Sequence, residues 1–368
     1  MRILLAGGGT GGHILSTLAV AAALQNKDKD IELLYVGSHK PQDRELVEAA
    51  GLQFRAISTG KLRRYFSLQN LVDSINFLKG IGEAQNILQE FKPNVVFAKG
   101  GYVALPVVMA AKRLRIPVVI HESDSRLGLT NRLAVASAKW VAVSFPVANY
   151  IKTQPKLVKY KNKFVYTGLP IAKGIVEAPK KKFFVNNRPI VLVAGGSQGA
   201  LTISKVLWQT LPELLAKYNV IHQAGKSNYS QAQDVKKGLP GSLGRNYMVM
   251  GFEVDGYRKA MKAADLIVAR AGSSIFEFQA LGKPVILIPL PGSANNHQHH
   301  NAMFLSSRNA AITIDQKDLS PDTLRAAIEQ VIEDKTFQAK LSDNILELGR
   351  MNRSADERLA DLIIKTAK

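Results

Sequence analysis

The chain has 368 residues, 46% hydrophobic and 21% charged, with 49 Lys and Arg against 29 Asp and Glu, a formal net charge of +20 and no cysteine. This length accommodates two domains with full cores, and the composition excludes a disordered tail or a collagen-like repeat. The absence of thiols excludes disulfides, thiolate metal sites and cysteine nucleophiles.

Arg2 is followed by only four apolar residues, Ile3 to Ala6, before glycines begin. That reads as a strand rather than a secretory signal. No run of about 18 apolar residues occurs, so no membrane-spanning helix is expected. A cytoplasmic location follows, with any membrane contact made at the surface. After the glycines, Ile14 to Leu24 has helical content, and short apolar runs recur at Leu33–Val36, Val95–Ala98, Pro117–Ile120 and Val141–Ser144. Longer helix-like segments lie between them, which is the rhythm of a parallel α/β sheet. The pattern restarts at Ile190–Ala194 and continues through Val220–Gln223, Met248–Met250, Leu266–Ala269, Val285–Ile288 and Ala311–Ile314. The stretch Lys152–Lys182 contains three prolines and reads as a domain end plus linker. Residues 151–190 carry 10 basic and 1 acidic side chains. Such an excess favours an anionic partner or a plain solvated surface. Two doubly wound domains imply a cleft, with ligands bound beyond the carboxyl ends of strands.

The motifs fall at those ends. Gly7-Gly8-Gly9-Thr10-Gly11-Gly12-His13 follows the first strand and opens a helix. Its glycines admit close backbone approach, and the helix N-terminus offers free N–H groups to an anion or polar substrate. A dinucleotide site wants an acidic residue ending the second strand, where this chain has Val36-Gly37-Ser38. His13, at the positive end of a helix, has a lowered pKa and suits a general base; a structural histidine is the alternative. Gly195-Gly196-Ser197-Gln198-Gly199-Ala200 repeats the logic as a second diphosphate cradle or a tight turn. Arg270 to Glu277 follows the strand Leu266–Ala269; Glu277 suits the two hydroxyls of a ribose, or simply stabilises a helix start. Asn295 to Ala302 packs amides and three histidines together. With no carboxylate nearby and no HExxH pattern, sugar hydroxyls are the better match than zinc. Lys99-Gly100-Gly101-Tyr102 and His121-Glu122-Ser123-Asp124 also follow strands and should converge on one face of the first domain.

Together these motifs resemble one family. GGGTGGH at 7–13, GGY at 100–102, HESD at 121–124, GGSQGA at 195–200, RAGSSIFE at 270–277 and the Gln298, Asn301, Ala302 pattern occur in its order and rough spacing. The family is the UDP-N-acetylglucosamine:undecaprenyl-diphosphate-muramoyl-pentapeptide N-acetylglucosaminyltransferases of peptidoglycan synthesis, the MurG family. The resemblance runs from about residue 1 to residue 305. It implies a GT-B fold of two Rossmann-like doubly wound domains with an interdomain cleft. The domains would be 1–166, facing acceptor and membrane, and 167–345, binding UDP-GlcNAc, with a helix at 346–368 returning to the first. It implies inverting, metal-independent transfer of GlcNAc from UDP-GlcNAc to the C4 hydroxyl of the lipid-linked muramoyl-pentapeptide, without a cofactor.

By this resemblance Ser197 and Gln198 face the diphosphate, Glu277 binds the ribose, and the backbone at Val254 meets the uracil. Gly272, Ser273 and Ser274 cap the diphosphate or sugar, and Gln298 and Asn301 hold GlcNAc hydroxyls. Thr10, Gly11 and Gly12 complete the donor site. His13 is the base, and Tyr102, His121 and Glu122 shape the acceptor side. The chain departs from the family in three places. Asp124, counted with the donor-binding residues, stands where Asn is usual; it accepts hydroxyls but adds negative charge near a diphosphate. After Gly168-Leu169-Pro170-Ile171 comes Ala172, with Lys173 as the nearest cation, where the family soon has an arginine. The segment from Arg270 to Glu277 is one residue shorter than usual.

A lipid acceptor accounts for the charge. Lys61-Leu62-Arg63-Arg64-Tyr65-Phe66, followed by Leu68, Leu71, Val72, Ile75, Phe77 and Leu78, mixes basic and apolar groups. It is expected to dock on anionic lipid of the inner leaflet, making the protein peripheral on the cytoplasmic side; an ordinary packed amphipathic helix is the alternative. Three other readings compete. A diacylglycerol glycosyltransferase shares the fold, the basic face and a lipid acceptor, but GGSQGA with the Gln298 pattern favours GlcNAc. A UDP-GlcNAc 2-epimerase shares the fold but needs no lipid. A nucleic-acid binder matches the charge, yet no binding motif appears and the largest excess lies in a linker.

Overall fold

Runs of aliphatic residues too short for buried helices fold here into parallel strands, the central ones buried on both faces. The computed structural model describes residues 1–8, 11–60, 69–171, 174–196, 199–251 and 253–368. Strands β1 (Arg2–Ala6), β2 (Glu32–Gly37), β3 (Gln53–Ala56), β4 (Val95–Ala98), β5 (Val118–Glu122), β6 (Trp140–Val143) and β7 (Phe164–Tyr166) form one sheet. Its order is β3-β2-β1-β4-β5-β6-β7, with every neighbour parallel. Strands β8 (Ile190–Ala194), β9 (Asn219–Gln223), β10 (Tyr247–Met250), β11 (Leu266–Ala269), β12 (Val285–Leu287) and β13 (Ile312–Thr313) form a second parallel sheet, ordered β10-β9-β8-β11-β12-β13. Both orders reverse direction once, between β1 and β4 in the first sheet and between β8 and β11 in the second. Those reversals are the switch points at which an open α/β sheet leaves a crevice.

The chain divides into two compact units, Met1–Ala172 with Met351–Lys368, and Lys173–Arg350. In the first, the helices that position the site are α1 (Gly11–Lys27), α2 (Pro41–Ala49), α3 (Gln69–Phe91), α4 (Gly101–Arg113) and α5 (Leu129–Ala134). One face of the first sheet buries Ile3, Leu5, Val95 and Phe97 against α1 and the last helix, Ala355–Ala367, which contributes Leu359 and Ile363. Each fully buried aliphatic side chain of this kind contributes about 1.5–3 kcal/mol. The second sheet is covered likewise by the helices Leu201–Lys217 and Pro321–Glu333. The latter starts on a capping box between Ser320 and Thr323 with Pro321 in its first turn, which satisfies N–H groups that a helix start leaves open.

Each apolar run expected as a strand holds one, mostly within a residue at each end, and the largest extension is at β5. β5 runs on through His121 and Glu122, which pair with Ala142 and Val143 of β6, so these two residues end the strand rather than follow it. Polar side chains continue a buried strand because internal hydrogen-bond partners satisfy them.

Candidate active site

The switch point of the first sheet collects the glycine loop, the end of β4 and the end of β5. Gly7 leaves β1 with its N–H on the Val36 carbonyl at 3.2 Å. Gly9 and Thr10 lie outside the described residues. His13 stands in the first turn of α1, half-buried, with Nδ1 3.4 Å from the Gly8 carbonyl. A proton on Nδ1 faces that carbonyl and leaves Nε2 as the basic nitrogen. Burial lowers the His13 pKa and the Lys99 ammonium lowers it further, against Asp124 and the Gly8 carbonyl, which raise it. The ring is therefore neutral at pH 7, the form in which an imidazole can accept a proton.

Tyr102, one residue into α4, is half-buried with the Lys40 ammonium 5.9 Å from its ring centre. Beside it lies a cavity of about 540 Å³ whose lining includes Ser38, Lys40, Ser58, Thr59 and Asn76.

His121 and Glu122 sit at the base of this face. His121 is fully buried; its Nε2 donates to the Gly168 carbonyl at 2.9 Å, and Lys99 Nζ lies 2.5 Å from its Nδ1. Burial holds the ring well below its ordinary pKa, hence neutral. Glu122 accepts from the backbone N–H groups of Asp124 (3.0 Å) and Gly128 (2.8 Å) and from Asn131 Nδ2 (2.9 Å). Burial and the nearby Asp124 nonetheless raise its pKa. With its oxygens so engaged, Glu122 shapes the Ser123–Gly128 turn more than it offers a carboxylate to a substrate. Asp124 is half-buried, and its carbonyl accepts the Tyr150 hydroxyl at 2.7 Å.

In the second unit, Gly195 and Gly196 follow β8, and Gln223 binds both sides of this turn through its carbonyl and Nε2. Ser197 and Gln198 lie outside the described residues. Gly196 and Gly199 have φ of +73° and +85°, the left-handed region that glycine adopts without strain. After β11, Arg270 donates to the Ile288 and Pro289 carbonyls and to Gln316, so its guanidinium braces the strand ends. A β-carbon on Gly272 would meet nothing within 4 Å among the described residues, which leaves this turn open to a ligand. Ser273 is exposed and Ser274 half-buried. Glu277, third residue of the helix Ile275–Leu281, is pushed up to about 7 by burial, against the opposing pull of Arg258.

Asn301 is fully buried and donates to the Ala271 carbonyl at 3.1 Å, tying the helix His297–Ser306 to the Gly272 turn. Gln298 accepts from the Leu290 N–H at 3.0 Å. The histidines of this helix serve its surroundings: His297 contacts the Ala294 carbonyl and His299 faces Asp315. Val254 is exposed at the start of the helix Val254–Ala263. Nearby opens a cavity of about 340 Å³ lined by Phe183, Tyr229, Met250 and Glu253 among others.

The sequence set Lys99 on this face beside Tyr102 without a role for it, and did not place Asn131 or Gly168 in the site. A lysine ending the apolar run of β4 was a readable signal; the partners Asn131 and Gly168 carried none. Of the basic and apolar segment, Lys61–Leu68 lies outside the described residues. Val72, Ile75 and Leu78 on α3 are 56%, 59% and 66% exposed, in a row spaced three apart. A cavity of about 680 Å³, lined by Phe77, Leu105, Met109, Lys112, Arg113 and Leu133 among others, lies on this side of the unit. No helix among the described residues is long and apolar enough to cross a membrane.

Two doubly wound sheets, each with a glycine-rich loop at its switch point, are the architecture of a nucleotide-sugar glycosyltransferase. Models of the glycosyltransferase family 28 N-terminal and C-terminal domains match residues 3–143 and 190–360. The chain is 40% identical over 342 residues to the UDP-N-acetylglucosamine--N-acetylmuramyl-(pentapeptide) pyrophosphoryl-undecaprenol N-acetylglucosamine transferase of Lachnoclostridium phytofermentans, covering 91% of each chain. It is 34% identical over 372 residues to the Clostridium novyi protein of the same name, covering 99% of this chain and 97% of that one. The crystal structure of Acinetobacter baumannii MurG matches 99% of this chain and 100% of its own, at 25% identity and a TM-score of 0.76. The chain belongs to the MurG family of glycosyltransferase family 28. The resemblance read from the motifs and the expected Rossmann-like fold are both borne out.

Proposed function

We propose that this chain transfers GlcNAc from UDP-GlcNAc to the C4 hydroxyl of undecaprenyl-diphosphate-linked muramoyl-pentapeptide, with inversion and without a metal. His13 Nε2 takes the proton of the acceptor hydroxyl as its oxygen attacks the anomeric carbon. The bond from that carbon to the diphosphate breaks on the opposite face, and UDP leaves with the electron pair. The neutral, half-buried His13 at the first switch point carries this reading. The glycine turn before the helix Leu201–Lys217 supports stabilisation of the leaving diphosphate by backbone N–H groups and a helix N-terminus. Glu277 accepts from the ribose hydroxyls, and the cavity near Val254 takes the uracil. The polar cavity beside Tyr102 and Lys40 takes part of the acceptor.

The protein works at the cytoplasmic face of the membrane, held there peripherally. The exposed row Val72, Ile75 and Leu78 enters the lipid surface while nearby cations such as Lys112 and Arg113 meet anionic headgroups. Such residues contribute about 1 kcal/mol each near the surface.

The test is calorimetric titration with UDP-GlcNAc, UDP-glucose and UDP-GalNAc in EDTA, followed by a transfer assay on the lipid acceptor. Selective UDP-GlcNAc binding and formation of the lipid-linked disaccharide in EDTA are expected. Preference for UDP-glucose would move the reading to a diacylglycerol glycosyltransferase, and an absolute need for a divalent cation would refute the metal-free step.

A further inference from the structure

Lys99 plays no part in the mechanism above, yet it occupies an unusual place for a lysine. It directly follows β4 at 2% exposure, with Nζ 2.5 Å from His121 Nδ1 and 2.7 Å from Ser123 Oγ. Because His121 donates its Nε2–H to the Gly168 carbonyl, Nδ1 presents a lone pair and Lys99 is the donor to it. The lysine stem packs against the first glycine loop: a β-carbon on Gly7 would sit 3.4 Å from Lys99 Cβ. One side chain thus ties the end of β4 to the end of β5 and to the loop that carries His13.

A buried ammonium persists only with compensating charge or hydrogen bonds. The compensation comes from β5 and the turn after it, where Glu122 and Asp124 both favour the charged lysine; burial still brings Lys99 down to about 7. His13 feels opposite pulls from two of these groups, since Lys99 disfavours its protonation and Asp124 favours it. Other polar groups facing this loop are His121 from β5, Asp43 of α2 against Gly8, and the Tyr35 hydroxyl of β2 against Gly7.

We propose that Lys99 is a positioning residue for the transfer: its buried ammonium fixes the His121 ring and counterbalances the Asp124 carboxylate beside His13. This inference rests on the reading of His13 as the base and extends it. It also gives a physical reason why this chain can carry Asp at position 124, where the motif usually has Asn.

The experiment uses the full-length protein and the variants Lys99→Met, Asp124→Asn and the double substitution. Three readouts are taken: the His13 titration by NMR of labelled histidine, the pH profile of kcat/KM for the acceptor, and UDP-GlcNAc affinity. Lys99→Met keeps the stem and removes the charge. It should raise the His13 pKa by about half a unit or more, move the acid limb upward with it, and lower turnover at pH 6 about twofold, with a smaller loss at pH 7. Asp124→Asn alone should move the His13 titration downward. The double variant should return both the titration and the acid limb towards wild type and recover most of the turnover. UDP-GlcNAc affinity should stay unchanged in Lys99→Met, since no donor contact is assigned to Lys99.

An unmoved His13 titration in Lys99→Met, or a double variant no better than Lys99→Met, overturns the proposal. Should Lys99→Met not fold, an unmoved titration in Asp124→Asn overturns it equally. If the titrations shift as stated while His13→Ala retains turnover, the charge balance stands and the base assignment fails.

Discussion

The α-carbon of Gly101 lies against the imidazole of His13: a β-carbon there would come 3.2 Å from His13 Nδ1 and 2.8 Å from the Gly8 carbonyl. Gly101 also has φ +77°, which disfavours any side chain by about 1–2 kcal/mol. Both constraints act at the loop that sets the ring's position. Gly101→Ala should therefore cut turnover about tenfold or more, because a small misplacement of a catalytic group is costly. UDP-GlcNAc affinity, measured by calorimetry, should stay near wild type.

His13→Ala should lower kcat by about 10²–10⁴, the usual contribution of a positioned general base, while UDP-GlcNAc still binds. The pKa of His13 is depressed from 6.5, so its basic form persists into mildly acidic solution. The acid limb of kcat/KM should accordingly lie below pH 6.5 in the wild-type enzyme, as a pH–rate profile on the lipid acceptor will report.

Glu277, proposed above to hold the ribose, also bears on stability. Its carboxyl titrates near 7 in the fold against an ordinary 4.5, so the folded state holds its proton more tightly than the unfolded state does. Folding stability from this group is present below about pH 4.5 and is lost as pH rises towards 7. Glu277→Gln should raise Tm relative to wild type at pH 8 and leave it unchanged at pH 4. The same variant should weaken UDP-GlcNAc binding roughly tenfold, the effect of losing a charged acceptor. In the wild type, affinity should fall between pH 8 and pH 6 as the carboxylate protonates.

The row Val72, Ile75 and Leu78 tests the membrane contact. Replacing Ile75 and Leu78 with Glu places two anions on an exposed apolar row and touches no core position. Sedimentation with vesicles rich in anionic lipid should drop about tenfold or more, while UDP-GlcNAc binding and Tm stay unchanged. Undiminished sedimentation would remove this face of α3 from the membrane reading.

The sequence was most legible where a strand is buried on both faces. β4, β8 and β11 coincide with their apolar runs residue for residue, because parallel strands covered by helices need apolar side chains throughout. β3 and β7 escaped notice because both are short edge strands, β3 alternating apolar with polar residues and β7 only three residues long. Only Phe54 is buried in Gln53–Ala56, and Phe164–Tyr166 follows a lysine-rich turn. The glycine motifs marked the switch points correctly, since a loop that must approach a ligand after a strand announces itself by composition. The support beneath them did not. His121 meets Lys99 across 22 positions and Gly168 across 47, contacts that arise only when strands far apart in the chain become neighbours.

The helix Ala355–Ala367 packs along α1 and buries Leu359, Ala360 and Ile363 in the core of the first unit. The chain leaves that unit after Ala172 and re-enters it at Met351. On the ribosome, then, the first unit is begun before the second and completed after it. The apolar flank of α1 stays uncovered while about 180 further residues are made, on the order of ten to forty seconds at common elongation rates, and the second unit can emerge whole in the meantime. Nascent chains are thus exposed to sticking and to chaperone capture chiefly through the first unit, until the thirteen-residue helix Ala355–Ala367 covers α1.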